Sequence, residues 1–269
     1  MPDVALATVT SLLFVPGHRP DRFAKAADAG AGAIILDLED AVAPQDKDTA
    51  REHVVAWLAG GGRGIVRINA PGTPWYAEDL KAVAGHPVML PKAETADQVA
   101  EVAAALGTNP AVLPLIETAA GILAAAQILT APGVVRAAFG SIDLSAGLGV
   151  HPDDTTALLF SRSQLVLASA AAGVAGPVDG VTTDVKDSRR LADDAAHSAA
   201  LGFTGKMCIH PNQLATVHQI YRPTDDELAW ARRVVQAFSG AGAGTLDGKM
   251  IDKPVVDRAR RILARVGEA

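Results

Sequence analysis

The stretch Leu113–Gly121, with the sequence LPLIETAAG, joins a short apolar run to a helical pattern through a single carboxylate, Glu117. An apolar run that stops at one acid is typical of a buried strand that presents a charged side chain at its C-terminal end. The pattern recurs in the next strand-like run, Val134–Phe139, which is followed by Asp143. Because consecutive parallel strands end at the same rim of a sheet, we expect the two acids to lie side by side.

Paired carboxylates at one rim predict a site for a divalent cation. Hard cations take oxygen ligands, and Mg2+ keeps several coordination positions for water and substrate, with Mn2+ as the alternative ion. The structural alternative is that one of the two acids caps a helix and the other lies in a turn.

Strand-like runs alternate with helical patterns through residues 1–221, which indicates a parallel sheet covered by helices. Eight of each predict a TIM (β/α)8 barrel as the catalytic domain. The predicted strands are Ser11–Val15, Ala33–Leu38, Gly64–Ile68, Val88–Leu90, Ala111–Ile116, Val134–Phe139, Gly176–Val178 and Gly205–Ile209. The predicted helices are Pro20–Ala29, Asp46–Leu58, Trp75–Val83, Thr95–Leu106, Ala119–Leu129, Asp153–Ala172, Ser188–Leu201 and Pro211–Ile220. The seventh strand has the weakest pattern, because glycines and a proline interrupt it.

Residues 222–269 predict a C-terminal helical arm. Its segments are an amphipathic helix over Pro223–Phe238 capped by Thr224, a Gly/Ala hinge at Ser239–Gly244, a polar turn at Asp247–Asp252 and a basic helix over Pro254–Val266. The arm is too small to fold alone, so we expect it to pack on its own barrel or to reach a neighbouring subunit.

Composition narrows the class of protein. The 269 residues are 49% hydrophobic but only 4% aromatic, and the net charge is −6, which argues against nucleic-acid binding. No apolar run approaches the roughly 18 residues that cross a bilayer, and Met1–Thr10 lacks the features of a signal peptide. The single cysteine, Cys208, excludes an internal disulfide. We therefore expect a cytoplasmic protein.

Charged residues of both signs follow the predicted strands. The first strand contains Phe14 and is followed by Arg19 and Lys25, while Asp37, Glu39 and Asp40, Arg67, and Lys92 lie at the ends of strands two, three and four. Cations and carboxylates on one rim suit an anionic substrate held beside a metal.

The order of these motifs resembles the citrate lyase beta-subunit-like proteins of the HpcH/HpaI aldolase superfamily, which are close to the malyl-CoA and citramalyl-CoA lyases. The motifs cover nearly the whole chain and are SLLFVPG, ILDLEDAV, VRIN, MLPKAE, LPLIETAAG, FGSIDLSAGLG, GFTGKMCIHPNQ and LDGKMIDKPVVDRARRIL. The resemblance implies a TIM barrel in a trimer or hexamer. It also implies reversible, Mg2+-dependent carbon–carbon cleavage of a 3-hydroxy acid or its CoA thioester. Ile142 departs from the family, since many relatives have an acid before the metal-binding aspartate.

The resemblance also implies roles for individual residues. Glu117 and Asp143 match the metal ligands, and Arg67 matches an arginine that faces the substrate carboxylate and the enolate formed by cleavage. The structural alternative for Arg67 is an ion pair with Asp37 or Glu39. Independently of the resemblance, strand alternation places Asp37 and Glu39 on one face toward the barrel mouth. We expect Glu39, Asp40 and Lys92 to orient metal-bound water or to pair with Arg67.

The resemblance also implies residues that bind CoA and a residue that acts as the acid–base group. Phe14, Arg19 and Lys25 match positions that hold CoA, although a core phenylalanine and two solvated cations would give the same pattern. Asp252 matches a tail aspartate that acts as the acid–base group on the acyl carbon of a neighbouring subunit. Read alone, Asp252 before Lys253-Pro254 is a helix N-cap.

These observations favour a Mg2+-dependent lyase that releases an acyl-CoA and a 2-oxo acid from malyl-CoA, citramalyl-CoA or a similar thioester. Three alternatives remain open. The chain could be a citrate lyase beta subunit that works within a complex, a class II aldolase for free pyruvate-type substrates, or a non-catalytic barrel that binds CoA or metal.

Overall fold

Eight parallel strands close into a barrel in the computed structural model of this chain, and each strand pairs with its neighbours in sequence order. The structure describes residues 4–238 and 244–268. The barrel strands are β1 (Ser11–Pro16), β2 (Ala33–Asp37), β3 (Ile65–Arg67), β4 (Val88–Leu90), β5 (Val112–Ile116), β6 (Arg136–Phe139), β7 (Ala175–Asp179) and β8 (Gly205–Cys208). The predicted TIM barrel is confirmed, including the weakly patterned seventh strand.

Helices cover the strands on the outside. They are α1 (Val4–Thr8), α2 (Phe23–Ala27), α3 (Lys47–Ala59), α4 (Tyr76–Ala82), α5 (Ala96–Leu106), α6 (Ala119–Ile128), α7 (Ser141–Leu148), α8 (Leu159–Ala172), α9 (Ser188–Leu201) and α10 (Leu214–Tyr221). Short 3-10 turns precede α2, α3 and α10, so the predicted helices there begin later than expected.

The connection from β6 to β7 differs from the sequence-based prediction. One helix was expected over Asp153–Ala172, whereas the structure has α7 directly after β6 and begins α8 only at Leu159. The side chain of Asp154 accepts hydrogen bonds from the backbone N–H groups of Thr156 and Ala157 at 2.9 and 3.0 Å. This local turn competes with helix and delays the start of α8.

Alternation along the strands determines which side chains reach the barrel interior. Ile35, Ile65 and Leu115 belong to the buried interior cluster. The residues two positions further along are Asp37, Arg67 and Glu117. The polar side chains therefore occupy the interior layer at the C-terminal ends of the strands, and the layer below them consists of apolar side chains.

The chain separates into two compact units, Met1–His218 and Gln219–Ala269. The second unit contains α11 (Asp225–Ala237), the hairpin strands β9 (Gly244–Leu246) and β10 (Lys249–Ile251), and α12 (Lys253–Ala264). Thr224 caps α11 through a capping box with Glu227, as predicted. Of the predicted hinge, residues 239–243 lie outside the described residues.

The predicted polar turn over Asp247–Asp252 is wrong in part, because β10 occupies half of this segment and pairs antiparallel with β9. Asp247 and Gly248 both have positive φ, 51° and 74°, which matches the twist of a two-residue hairpin turn. Among the described residues, no helix is long and apolar enough to cross a membrane.

Candidate active site

A cavity of about 360 Å3 opens at the C-terminal ends of the barrel strands. Asp37, Arg67, Glu117 and Asp143 all line it, although they lie at or after the ends of four different strands. The structure thus brings together the two acids of the predicted metal site and the arginine of the predicted substrate site.

Glu117 is buried beneath this cavity, with only 2% of its surface exposed. Its Oε1 accepts the backbone N–H of Lys92 at 2.9 Å, and no other hydrogen bond reaches its carboxylate from the described residues. Burial, followed by the charges of Glu39 and Asp143, raises the pKa of Glu117 from 4.5 to about 8. A bound cation would remove this electrostatic penalty, so Glu117 is suited to be a ligand.

Gly140 makes room for Glu117. A Cβ atom on Gly140 would lie 2.3 Å from Cβ of Glu117 and 2.5 Å from its Oε2. Such contacts are far shorter than van der Waals distances, so a side chain at position 140 would displace the carboxylate.

Asp143 lies in the first turn of α7 and is half-buried. Its carboxylate forms no hydrogen bond or ion pair with the residues that the structure describes. Within residues 4–238 and 244–268, no three His, Cys, Asp or Glu side chains cluster as a metal cage. Glu117 and Asp143 each have a carboxylate oxygen without a partner among the described residues. Such a pair fits Mg2+, which usually retains coordination positions for water and substrate.

Arg67 is held firmly in the cavity wall. Its Nε and Nη2 atoms each donate to Asp37 at 2.7 Å, and Nη1 lies 3.1 Å from Glu39. The guanidinium carbon lies 4.8 Å from the centre of the Phe14 ring. The structural ion pair considered above is therefore present, and it fixes the guanidinium plane at the cavity.

The rim carries an excess of negative charge. Its five acids, Asp37, Glu39, Asp40, Glu117 and Asp143, outnumber its two cations, Arg67 and Lys92. Nζ of Lys92 lies 2.6 Å from Oε1 of Glu39, whose pKa is raised by burial. Asp40 is more exposed and lies 3.5 Å from Arg67. This balance favours a divalent cation at the rim.

A buried network that the sequence analysis missed supports the ends of β2 and β3. Nζ of Lys47 donates to the carbonyls of Leu38 and Glu39 at 2.7 Å and to Oδ1 of Asn69 at 2.6 Å. Asp79 accepts hydrogen bonds from both the backbone and the side chain of Asn69. The only sequence signal was Asp79 itself, an acid on the apolar side of a predicted helix.

The residues predicted to hold CoA lie in different environments. Phe14 lines the cavity and packs against Arg67. Arg19 forms an ion pair with Asp21 at 2.7 Å, and Lys25 is exposed on α2. Neither Arg19 nor Lys25 belongs to the described cavity lining.

Asp252 belongs to the second compact unit and forms the N-cap of α12. Its Oδ1 accepts the backbone N–H of Val255 at 3.3 Å. The helix-capping interpretation of Asp252 is therefore correct as far as the fold of this unit is concerned, and a catalytic role remains a proposal.

A barrel with acids and an arginine gathered at one rim fits a carbon–carbon bond lyase, and a family model described as a C–C bond lyase of the TIM-barrel fold matches residues 162–267. More particularly, the chain belongs to the HpcH/HpaI aldolase/citrate lyase family, whose model matches residues 10–211.

Known relatives cover almost the whole chain. A citrate lyase subunit beta-like protein of Mycobacterium tuberculosis is 43% identical, over 96% of this chain and 95% of the relative. A (3S)-malyl-CoA thioesterase of Cereibacter sphaeroides is 34% identical, over 95% of this chain and 93% of the relative. The crystal structure of CitE from M. tuberculosis with magnesium, acetoacetate and coenzyme A is 42% identical and has a TM-score of 0.83, covering 97% of this chain and 99% of that one.

Proposed function

We propose that this chain is a Mg2+-dependent lyase that cleaves or forms the carbon–carbon bond of a 3-hydroxy dicarboxylic acyl-CoA, such as malyl-CoA or citramalyl-CoA. The observation that carries the proposal is the shared cavity of Glu117, Asp143 and Arg67. Each of the two acids has a carboxylate oxygen without a partner among the described residues, and Asp37 fixes the guanidinium of Arg67. The CitE crystal structure from M. tuberculosis supports it, since that protein binds magnesium, acetoacetate and coenzyme A.

Glu117 and Asp143 would hold the cation. When bound, Mg2+ supplies Lewis-acid polarisation of the substrate oxygen next to the bond that breaks. Manganese could replace it, because the two donors are carboxylates.

Arg67 would stabilise the negative charge that develops when the bond breaks and an enolate forms on the acyl half. Asp37 and Phe14 already hold its guanidinium in place, so little reorganisation is needed during the reaction. Lys92 and Glu39 would fix Glu117 and the neighbouring loop, and Lys47 would support the ends of β2 and β3.

Asp252 would exchange the proton on the acyl carbon, and Phe14, Arg19 and Lys25 would contact the CoA part of the substrate. We further propose that the protein is a homotrimer or hexamer, in which the second unit of one chain supplies Asp252 to its own barrel or to that of a neighbour. Its weak capping bond of 3.3 Å leaves the other carboxylate oxygen available for this role.

The proposal is tested with the purified chain, Mg2+, acetyl-CoA and either glyoxylate or pyruvate. Formation of the hydroxy-acyl-CoA product without any partner chain is the expected result, and removal of Mg2+ with a chelator should abolish it. Release of free CoA in excess of product would show the additional hydrolysis that the C. sphaeroides thioesterase is named for.

A citrate lyase beta subunit is the second candidate, because the M. tuberculosis relative carries that name with the suffix "-like". That function predicts no turnover of acyl-CoA by the chain alone and turnover of a carrier-bound thioester. Aldol cleavage that is indifferent to CoA would instead indicate a class II aldolase, and failure to bind either Mg2+ or CoA would indicate a non-catalytic barrel.

A further inference from the structure

Three charged side chains are buried together between α8 and the strands β7 and β8, and we call them the buried triad. Asp179, at the end of β7, accepts hydrogen bonds from Nε of Arg162 at 3.0 Å and from Nζ of Lys206 at 3.1 Å. Because Val178 and Met207 belong to the interior cluster, Asp179 and Lys206 point away from the barrel interior. Lys206 lies in the motif GFTGKMCIHPNQ, to which the proposed function assigns no role.

The buried triad is charged although water hardly reaches it. Asp179 and Lys206 are 0% and 1% exposed, and Arg162 is 7% exposed. Burial alone would raise the pKa of Asp179, but the charges of Lys206 and Arg162 hold that pKa below its usual value. Well-packed apolar side chains often stabilise a fold as much as buried charges do. Stability alone is therefore a poor explanation for the triad.

The buried triad contacts the turn between β6 and α7 from two sides. Nζ of Lys206 also donates to the backbone carbonyl of Gly180 at 2.7 Å. Gly180 lies so close to Ser141, the first residue of α7, that a Cβ atom on Gly180 would collide with the Ser141 side chain. On the other side, the guanidinium carbon of Arg162 lies 4.9 Å from the centre of the Phe139 ring at the end of β6. The two contacted residues flank the N-cap of α7.

The first turn of α7 has little support of its own. Its N-cap is Gly140, and no side chain of the described residues caps the helix there. Asp143 lies in this turn, and its carboxylate has no hydrogen bond or ion pair among the described residues. Glu117, by contrast, accepts the backbone N–H of Lys92. The direction of the Asp143 carboxylate therefore depends on how the backbone of α7 is held.

We propose that the members of the buried triad are positioning residues for the metal site, which hold the first turn of α7 so that Asp143 and Glu117 converge on one divalent cation. They do not line the described cavity, and they act through Gly180 and Phe139. Residues that orient metal ligands in this way typically contribute about 10- to 100-fold to metal affinity. This inference rests on the proposed function, in which Glu117 and Asp143 are the ligands.

The first test measures amide hydrogen exchange in the full-length protein without metal. Lys206→Met removes the ammonium group and keeps the length of the side chain, so exchange in α7 should become about tenfold faster while α3 exchanges as in the wild type. Arg162→Met should act in the same direction and serves if Lys206→Met does not fold. Arg136→Met is the matched control, because it removes a buried cation at the other end of β6. Unchanged exchange of α7 in the triad variants, or equally fast exchange in Arg136→Met, would overturn the inference.

The second test measures Mn2+ affinity by electron paramagnetic resonance in a double-mutant cycle. Lys206→Met should weaken Mn2+ binding about tenfold. Because the triad acts through Asp143, adding Lys206→Met to Asp143→Asn should weaken binding by no more than about twofold. The same tenfold loss in both backgrounds would show a general structural effect and overturn the inference. If the wild type bound no Mn2+ while exchange in α7 responded as expected, the proposed metal site would fail and the contact between the triad and α7 would stand.

Discussion

Lys92 donates its backbone N–H to Oε1 of Glu117 at 2.9 Å from a left-handed backbone conformation, with φ of 49°. Residues with a Cβ are disfavoured in this region. The same residue places its Nζ 2.6 Å from Oε1 of Glu39. One strained position at the end of β4 therefore orients two acids of the rim, which is typical of strain retained at a functional site.

The strain at Lys92 predicts that glycine is more stabilising than alanine at this position, which is the reverse of the usual order. Lys92→Gly and Lys92→Ala both remove the ion pair with Glu39, but only glycine adopts positive φ without cost. We expect Lys92→Gly to be more stable than Lys92→Ala by about 1 kcal/mol in urea unfolding. At exposed Lys81 in α4, the same pair of substitutions should show the opposite order, since alanine favours helix. Equal stabilities at position 92 would mean that the backbone is relaxed.

The raised pKa of Glu117 predicts how stability depends on pH. Between pH 4.5 and 8 the folded metal-free protein keeps a proton on Glu117 that the unfolded chain has released. The free energy of unfolding should therefore decrease as pH rises through this range, and Glu117→Gln should reduce that decrease. Urea unfolding at several pH values without Mg2+ measures this pH dependence of the free energy of unfolding. Glu52→Gln, on the exposed side of α3, is the control.

Adding Mg2+ should change this pH dependence. Because the ion binds the deprotonated carboxylate, it should stabilise the wild type more at pH 8 than at pH 4.5 and should leave Glu117→Gln nearly unaffected. Stabilisation of Glu117→Gln to the same extent as the wild type would remove Glu117 from the metal site.

Gly140 provides a steric test of the same site. Gly140→Ala brings a methyl group into contact with the Glu117 side chain, so Mg2+ affinity and turnover should both fall by at least about tenfold. Gly147→Ala in the same helical segment is the control, because its Cβ would meet nothing within 4 Å. We expect that variant to bind Mg2+ as the wild type does. Unchanged Mg2+ affinity in Gly140→Ala would contradict the predicted crowding.

A shared active site predicts complementation between two inactive variants. Arg67→Ala affects the barrel and Asp252→Ala affects the second unit, so a mixed oligomer can contain intact sites only if two chains build each site. After subunit exchange, random mixing should restore about a quarter of the wild-type activity. A mixture that stays inactive, although each variant assembles and binds Mg2+ through Glu117 and Asp143, would argue against a site shared between chains.

Strand alternation and strand-end chemistry were sufficient to predict the barrel and the position of its polar rim. They predicted that Glu117 and Asp143 lie at one rim, and both line the cavity there, although only Glu117 follows its strand directly and Asp143 lies in the first turn of α7. They could not decide between the two interpretations of Arg67, since an ion pair and a cavity position leave the same sequence pattern. The structure shows that Arg67 has both.

The features that were missed depend on backbone conformation or on contacts between distant residues. The left-handed conformation of Lys92 and the close approach of Gly140 to Glu117 have no periodic signal. The Lys47–Asn69–Asp79 network joins three segments that only the folded barrel brings together. By contrast, Asp247-Gly248 is a recognisable hairpin signal. The strands on either side of it have only three residues each, which is too short to show the alternation that identifies a strand.

The contact between Gly140 and Glu117 has a consequence for redesigning the cavity. A side chain at position 140 would collide with Glu117, so this wall leaves no room for variation in size. Engineering that enlarges or narrows the space for a substrate should therefore begin at other lining positions.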